Sequence, residues 1–79
     1  MADTTQPLDT LSLNQKARIV DFTDDLVSQQ LLEMGCLPGH LIYINNIAPL
    51  GDPISVVISN TTISIRKRDA ACVLVTTNN

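Results

Sequence analysis

Residues 41–59, LIYINNIAPLGDPISVVIS, contain two β-type runs joined by a proline-rich connection. In the first run Ile42 and Ile44 stand two positions apart, and such period-two spacing predicts a strand in which both would face a core. The second run, PISVVIS, is rich in the β-branched residues that favour strands. The stretch therefore predicts a β-hairpin, around which the rest of a small fold is built.

The connection between the two strands is APLGDP, residues 48–53. Pro49 lacks an N–H and so removes no hydrogen bond from a ladder when it lies outside the strands. Gly51 permits a positive φ at the tip, and Asp52-Pro53 can set the turn that begins the second strand. Leu50 has no such role, and the sequence leaves open whether it folds back onto the core or is free for a partner.

Further β-type runs lie on both sides of this hairpin. LNQKARIVDF precedes it, with Ala17, Ile19 and Asp21 expected on one face, while TTISIRK and CVLVT follow it. Cys72 is expected at a core position of the last strand. About five short strands in so short a chain predict a mainly β fold, a small and strongly bent barrel.

A single helix is predicted between the first and second strands, at approximately residues 24–34. Thr23 is expected as the N-cap, with Asp24 and Asp25 in a first turn that favours carboxylates. Apolar residues follow at helical spacing, and Gly35 is placed as the left-handed residue that ends the helix.

Length and composition restrict the class of protein. The chain has 79 residues, enough for one small domain, and we expect flexible tails over residues 1–7 and 76–79 around a domain of residues 8–75. The net charge of −3 and the presence of only one Tyr and one Phe argue against nucleic acid as the main partner. No apolar run is long enough to span a bilayer, so direct membrane insertion is not expected.

The N-terminal residues MADTTQPLDT have neither a basic region nor an apolar run of the kind found in signal peptides. The expected location is therefore cytoplasmic, where Cys36 and Cys72 would be reduced thiols.

The side chains that could ligate a metal do not form a recognisable pattern. Pro38-Gly39 separates Cys36 from His40, so the two do not share a helical face. One histidine with two distant thiols falls short of a structural zinc motif, and no histidine and carboxylate cluster suits ferrous iron. A nucleophile beside a base and a glycine-rich phosphate loop are both missing as motifs. The prediction is no enzyme, no metal site and no cofactor.

Several motifs occur in an order that resembles the ferrous iron transport protein A (FeoA) family. They cover roughly residues 8–75 and comprise QKARI at 15–19, LLEMG at 31–35, LPG at 37–39, APLGDPI at 48–54 and ISIRK at 63–67. Two departures are Asn14 at a usual glycine position, which can still adopt a positive φ, and Ser59-Asn60-Thr61 in place of a basic-glycine-aromatic tip.

The resemblance implies an SH3-like β-barrel with an inserted helix that acts in the cytoplasm as a binding module. Its implied partner is FeoB, the ferrous iron permease with a cytoplasmic GTP-binding domain, and transition metal ion binding is a family-level association. The same fold occurs as the C-terminal domain of iron-dependent repressors, so the alternative is a regulatory module with protein or nucleic-acid contacts. Whether the effect on transport is activating or inhibitory is left open, and so is whether the domain self-associates.

A partner-binding surface is expected on the hairpin and on the three consecutive cationic residues Arg66-Lys67-Arg68, here called the basic run. If Ile42 and Ile44 face inward, their neighbours face outward and form an apolar group, unless a loop or tail covers it. The basic run contacts an acidic partner, ion-pairs within the domain, or is simply solvated; lipid headgroups are a weaker option. The predicted binding residues are Leu41, Tyr43, Pro49, Leu50, Gly51, Asp52, Pro53, Val57, Arg66 and Lys67.

Overall fold

A computed structural model describes residues 5–77 of the chain as one antiparallel sheet with short helical segments. The sheet has six strands in the order β1-β6-β2-β3-β4-β5. Their bounds are β1 Thr5–Pro7, β2 Ala17–Phe22, β3 Leu41–Ile47, β4 Ile54–Ile58, β5 Thr61–Ile65 and β6 Val73–Thr76. The helical segments are a 3₁₀ turn at Leu8–Thr10, helix α1 at Asp25–Glu33 and the single turn α2 at Lys67–Ala70.

The sheet curls around one aliphatic core. Register shifts at two bulges, between Ile19 and Asp21 in β2 and between Ile44 and Asn46 in β3, increase the local bend of these strands. The most deeply buried side chains come from every part of the curl and include Leu8, Ile19, Ile42, Ile44, Val56, Ile58, Val73 and Val75. Strands β1 and β5 form the two ends of the sheet, so the barrel is not closed by hydrogen bonds.

Helix α1 begins one residue later than predicted. The Asp24 side chain is the N-cap and accepts a hydrogen bond of 3.0 Å from the Val27 N–H. The prediction of Thr23 as the cap is wrong, because its hydroxyl donates to the Cys72 carbonyl at 3.4 Å instead of accepting from the helix. The Thr23 N–H donates to the same carbonyl at 2.8 Å. The helix ends as predicted, with Gly35 at a φ of +99°.

The N-terminal boundary also differs from the prediction. Thr5–Pro7, expected within a flexible tail, forms strand β1 and pairs with β6. A three-residue edge strand that contains proline lacks the alternation by which strands are recognised in sequence. The sheet therefore has six strands where about five were expected, while residues 1–4 and 78–79 of the predicted tails lie outside the described residues.

Two further expectations along the chain are corrected. Asp21 is exposed because the bulge in β2 reverses the alternation after Ile19. Cys72 is half-buried and ends the turn after α2, where its Sγ donates to the Arg68 carbonyl, so it precedes the last strand. Cys36, in the connection that follows α1, is part of the core.

The predicted strand TTISIRK is shorter than expected. Strand β5 ends at Ile65, and Lys67 begins the helical turn α2. The Asp52 side chain accepts a 2.8 Å hydrogen bond from the Lys67 N–H, which caps this turn from another part of the chain. Because that contact joins residues 15 positions apart, local sequence patterns do not reveal it.

Candidate partner-binding surfaces

The outward side chains of β3 and β4 line a shallow depression of mixed polar and apolar character, here called the β3–β4 groove. Tyr43 lies directly opposite Val57 in the antiparallel pair. The cavity has a volume of about 270 Å³ and is lined by Lys16, Leu41, Tyr43, Val57, Ser59 and Asn60. The structure thus brings together three of the predicted binding residues, Leu41, Tyr43 and Val57.

Alternation along β3 explains why these side chains face outward. Ile42 and Ile44 are fully buried, whereas Leu41 keeps 49% of its surface exposed and Tyr43 is half-buried. Side chains on one face of the strand pack in the core. Because successive side chains point to opposite faces, the others lie at the surface even where they are apolar. Leu41 is the most accessible apolar contact of the groove.

One side of the groove is held in place by a tight turn. Ser59 and Asn60 both have a positive φ, of 51° and 64°, as a two-residue hairpin of the primed type requires. The Ser59 hydroxyl lies 3.0 Å from Nδ1 of His40. This contact has no signal in the sequence, because the two residues are 19 positions apart and carry no shared motif.

The second surface is the connection between β3 and β4, residues 48–53, here called the Leu50 loop. The Gly51 N–H donates to the Ala48 carbonyl at 2.8 Å, and the Ala48 N–H donates to the Pro53 carbonyl at 3.1 Å. Gly51 has a φ of +89°. Leu50 is 97% exposed at the tip, so of the two alternatives it points away from the core.

The hydrogen bond between Asp52 and the Lys67 N–H places the Leu50 loop beside the basic run. The side chains of Arg66, Lys67 and Arg68 are all exposed. Asp52 therefore connects the two parts of this surface and stabilises their arrangement. The groups that a partner can reach are Leu50, Arg66 and Lys67. We call this surface the Leu50 end.

The two surfaces are separate. Tyr43 and the Leu50 loop lie at opposite ends of the β3–β4 hairpin, and the five residue steps from Tyr43 to Ala48 span roughly 17 Å. The predicted binding residues therefore fall into two groups: Leu41, Tyr43 and Val57 in the groove, and Pro49, Leu50, Gly51, Asp52, Pro53, Arg66 and Lys67 at the Leu50 end.

The residues considered as metal ligands are dispersed. Among residues 5–77, no three His, Cys, Asp or Glu side chains lie close enough together to hold an ion. Burial raises the pKa of the Cys36 thiol, which favours the neutral form over the thiolate that a metal would need. Within residues 5–77, the side chains therefore offer no assembled ligand set for a resident metal.

No helix among the described residues has both the length and the apolar character that a bilayer crossing demands.

Comparison with known proteins places this geometry in a family. The model of the FeoA domain matches residues 6–77. The NMR structure of a FeoA-like protein from Clostridium acetobutylicum superposes with a TM-score of 0.84 at 29% identity, covering 95% of this chain and 87% of that one.

Two other structures extend the comparison. The zinc complex of FeoA from Stenotrophomonas maltophilia is described as a procaryotic SH3 domain protein. It superposes with a TM-score of 0.76 at 26% identity, and the match covers 91% of this chain and 88% of that one. The T. acidophilum IdeR structure superposes with a TM-score of 0.82 at 22% identity. The match covers 99% of this chain and 36% of the IdeR chain. At that identity the IdeR match concerns the fold alone.

Two observations agree on the family of this chain. The FeoA domain matches nearly all of the chain, and the curled antiparallel sheet superposes on FeoA structures. The fold is SH3-like, and the chain belongs to the FeoA family.

Proposed function

We propose that this protein is a small cytoplasmic accessory protein of ferrous iron uptake that binds the cytoplasmic GTP-binding part of a FeoB-type permease and modulates transport. The observation that carries the proposal is the FeoA domain match over residues 6–77. The S. maltophilia FeoA is described as a candidate activating factor of ferrous iron transport, which supports a role of this kind. In this role iron is the cargo of the permease.

The surface features of the domain suit binding better than catalysis. The groove is lined by apolar and neutral polar side chains with one lysine, and the Leu50 end combines a leucine with cationic side chains. Such groups supply contact area and charge complementarity to a partner. We therefore propose a binding module without a reaction of its own.

The Leu50 end has the features of a primary contact. A leucine that is 97% exposed gains the full benefit of burial when it enters an apolar pocket of a partner. The hydrogen bonds within the loop hold it in place before binding, which lowers the entropy lost on association. Arg66 and Lys67 beside it favour an acidic rim around that pocket.

The β3–β4 groove is the second contact. Leu41 and Tyr43 offer an apolar and aromatic surface, and an aromatic side chain at the centre of an interface often contributes strongly to affinity. A partner that spans both surfaces would lie along the β3–β4 hairpin.

Binding of the full chain to the purified GTP-binding domain, measured by isothermal titration calorimetry, tests the proposal. Leu50→Asp is expected to weaken binding by about 10-fold or more, as for a contact residue at the centre of an interface. The matched control is Leu26→Asp, because Leu26 is a 73% exposed leucine on α1, away from both surfaces. Absence of binding by the unmodified chain would overturn the proposal.

The groove is tested separately by Tyr43→Ser, and the double variant with Leu50→Asp tests both surfaces together. If the double variant binds like the unmodified chain, neither surface is the contact. A salt-sensitive shift of labelled DNA or RNA, with no binding to the permease domain, would instead favour the repressor-type alternative. The IdeR match does not favour that alternative, since it concerns the fold alone.

A further inference from the structure

The β3–β4 groove carries different chemistry on its two sides. Its centre is apolar, formed by Leu41, Tyr43 and Val57, and the turn after β4 supplies the hydroxyl of Ser59 and the amide of Asn60. These groups suit an apolar side chain with polar neighbours, but they do not select a charge. The charge is set by the side of the groove that borders β2.

That side is cationic. Ala17 lies opposite Ile42 in the antiparallel pair of β2 and β3, and the same register continued by one residue places Lys16 beside Tyr43. Lys16 lines the cavity together with the Tyr43 ring. Its side chain is exposed, so the ammonium group is accessible to a ligand in the groove.

Arg18 adds a second cation at one end of the groove. It lies opposite Leu41 in the same strand pair, so both side chains occupy the outward face. Its Nη1 donates to the Gly39 carbonyl, which holds the guanidinium at that end. A guanidinium has five N–H donors, so one such bond does not exhaust its capacity to bind an anion.

The carboxylates lie elsewhere. None of the Asp or Glu side chains among residues 5–77 lines the groove. They lie on the 3₁₀ turn, near the end of β2, on or beside α1, in the Leu50 loop and on α2, at positions Asp9, Asp21, Asp24, Asp25, Glu33, Asp52 and Asp69. A chain with a net charge of −3 thus keeps this groove cationic, and charge complementarity calls for an acidic ligand.

The shape of the groove favours a protein segment over a small molecule. The groove is shallow and its volume of about 270 Å³ lies below the roughly 300–1,000 Å³ of pockets that enclose small ligands. Nucleic acid is disfavoured as well, because its binding rests on several neutralised phosphates and stacked bases, whereas the groove has one aromatic ring. An extended segment can instead lie along an exposed hairpin.

We propose that the β3–β4 groove binds an acidic segment of a protein partner, in which carboxylates alternate with aliphatic or aromatic side chains. A segment extended along β3 directs alternate side chains to its two sides, so the apolar ones pack on Tyr43 and Val57 while the carboxylates face β2. Carboxylates two residues apart are separated by roughly 7 Å, which matches the spacing of Lys16 and Arg18 along their own chain. The inference rests on the proposed function only for the identity of the partner, the permease domain.

Blocked peptides added to the full chain test the ligand chemistry, with binding followed by amide chemical shifts in NMR spectra. Acetyl-ELEFE-amide should bind with a Kd of about 1 mM and shift the amides of Leu41, Tyr43 and Val57. Acetyl-QLQFQ-amide lacks the charges and acetyl-ESESE-amide lacks the apolar side chains, and each should bind at least about 5-fold more weakly. Equal affinity of ELEFE and either comparison peptide, or shifts confined to the basic run, would overturn the proposal.

Charge reversal tests the position of the site. Lys16→Glu should weaken the binding of ELEFE by about 10-fold or more and should strengthen the binding of acetyl-KLKFK-amide, a gain that an unfolded variant could not show. The matched control Arg68→Glu makes the same change in net charge on α2 and should alter the ELEFE affinity by less than about 2-fold. Equal losses in the two variants, or no gain for KLKFK, would overturn the proposal.

Binding to the purified GTP-binding domain separates this inference from the proposed function. A chain that binds ELEFE but not the domain would overturn the proposed function and leave the chemistry of the groove in place. If the chain binds the domain and Lys16→Glu binds it equally well, the acidic segment is not the contact, and the proposed function stands without it.

Discussion

Leu41 and Ile42 are adjacent in β3 and have opposite surroundings. Ile42 has no exposed surface and lies in the core, whereas Leu41 is 49% exposed at the groove. At the scale of the residue, this contrast separates the side chains that hold the fold together from those available for binding.

Ile42→Ala is expected to lower the free energy of unfolding by about 2–5 kcal/mol, because it removes buried methyl groups and leaves a cavity. A domain of this size has a net stability of only about 3–5 kcal/mol, so the variant should unfold at a much lower urea concentration than the unmodified chain. Leu41→Ala is the matched control and should cost about 1 kcal/mol or less. Urea unfolding followed by circular dichroism measures both; equal losses would contradict the assignment of the two faces.

Cys36 links stability to pH. Burial raises the pKa of its thiol above the ordinary value of 9.0. Because the unfolded chain ionises first, the stabilising contribution is fully present below about pH 9 and is lost as the pH rises through the folded-state pKa. Stability should therefore fall in alkaline solution, and Cys36→Ala should make that part of the pH profile flatter.

Thiol reactivity distinguishes the two cysteines. At pH 8 a thiol reagent such as DTNB should react with the half-buried Cys72 well before Cys36 in the folded protein. Equal reaction rates of the two thiols would show that Cys36 is more accessible than its burial indicates. Full reaction of both in denaturant provides the reference.

At the scale of the element, caps determine where α1 and α2 begin. In α1 the cap is local, since Asp24 and Val27 are three residues apart. In α2 the cap is Asp52 of the Leu50 loop, which fixes that loop to the basic run. One carboxylate thus stabilises a helical turn and positions a candidate binding surface.

Asp52→Ala should lower the free energy of unfolding by about 1 kcal/mol, in the range of lost helix caps. It should also weaken partner binding, because the Leu50 loop and the basic run lose their connection. The control is Asp24→Ala, which should give a similar loss of stability but leave partner binding unchanged. If both variants bind the permease domain equally well, Asp52 does not organise the binding surface.

At the scale of the whole molecule, β1 covers one side of β6. Removal of residues 1–7 exposes that side and is expected to reduce stability by about 1–2 kcal/mol through lost backbone hydrogen bonds. A chain that begins at Thr5 keeps β1 and is the control. Thermal unfolding of both chains measures the effect; identical midpoints would show that β1 adds nothing to the domain.

The order of the elements along the chain could be predicted well, but the pairing between strands that are distant in sequence could not. Ile42, Ile44 and Gly35 were placed correctly because alternation and a left-handed helix end are local patterns. Asp21 was misplaced because a bulge depends on the neighbouring strand, and the pairing of Thr5–Pro7 depends on β6, far along the chain.

For the candidate site, local sequence patterns specify which residues are available, namely the APLGDP loop, the outward group of β3 and β4, and the basic run, and they also point to the family. Each follows from local chemistry or from motif order. Three properties depend on contacts between distant parts of the chain: these residues form two surfaces, Leu50 points into solvent, and Asp52 joins the loop to Lys67. The physical reason is that a strand's period fixes which side a residue faces, whereas the curl of the sheet and contacts between distant residues fix what lies beside it.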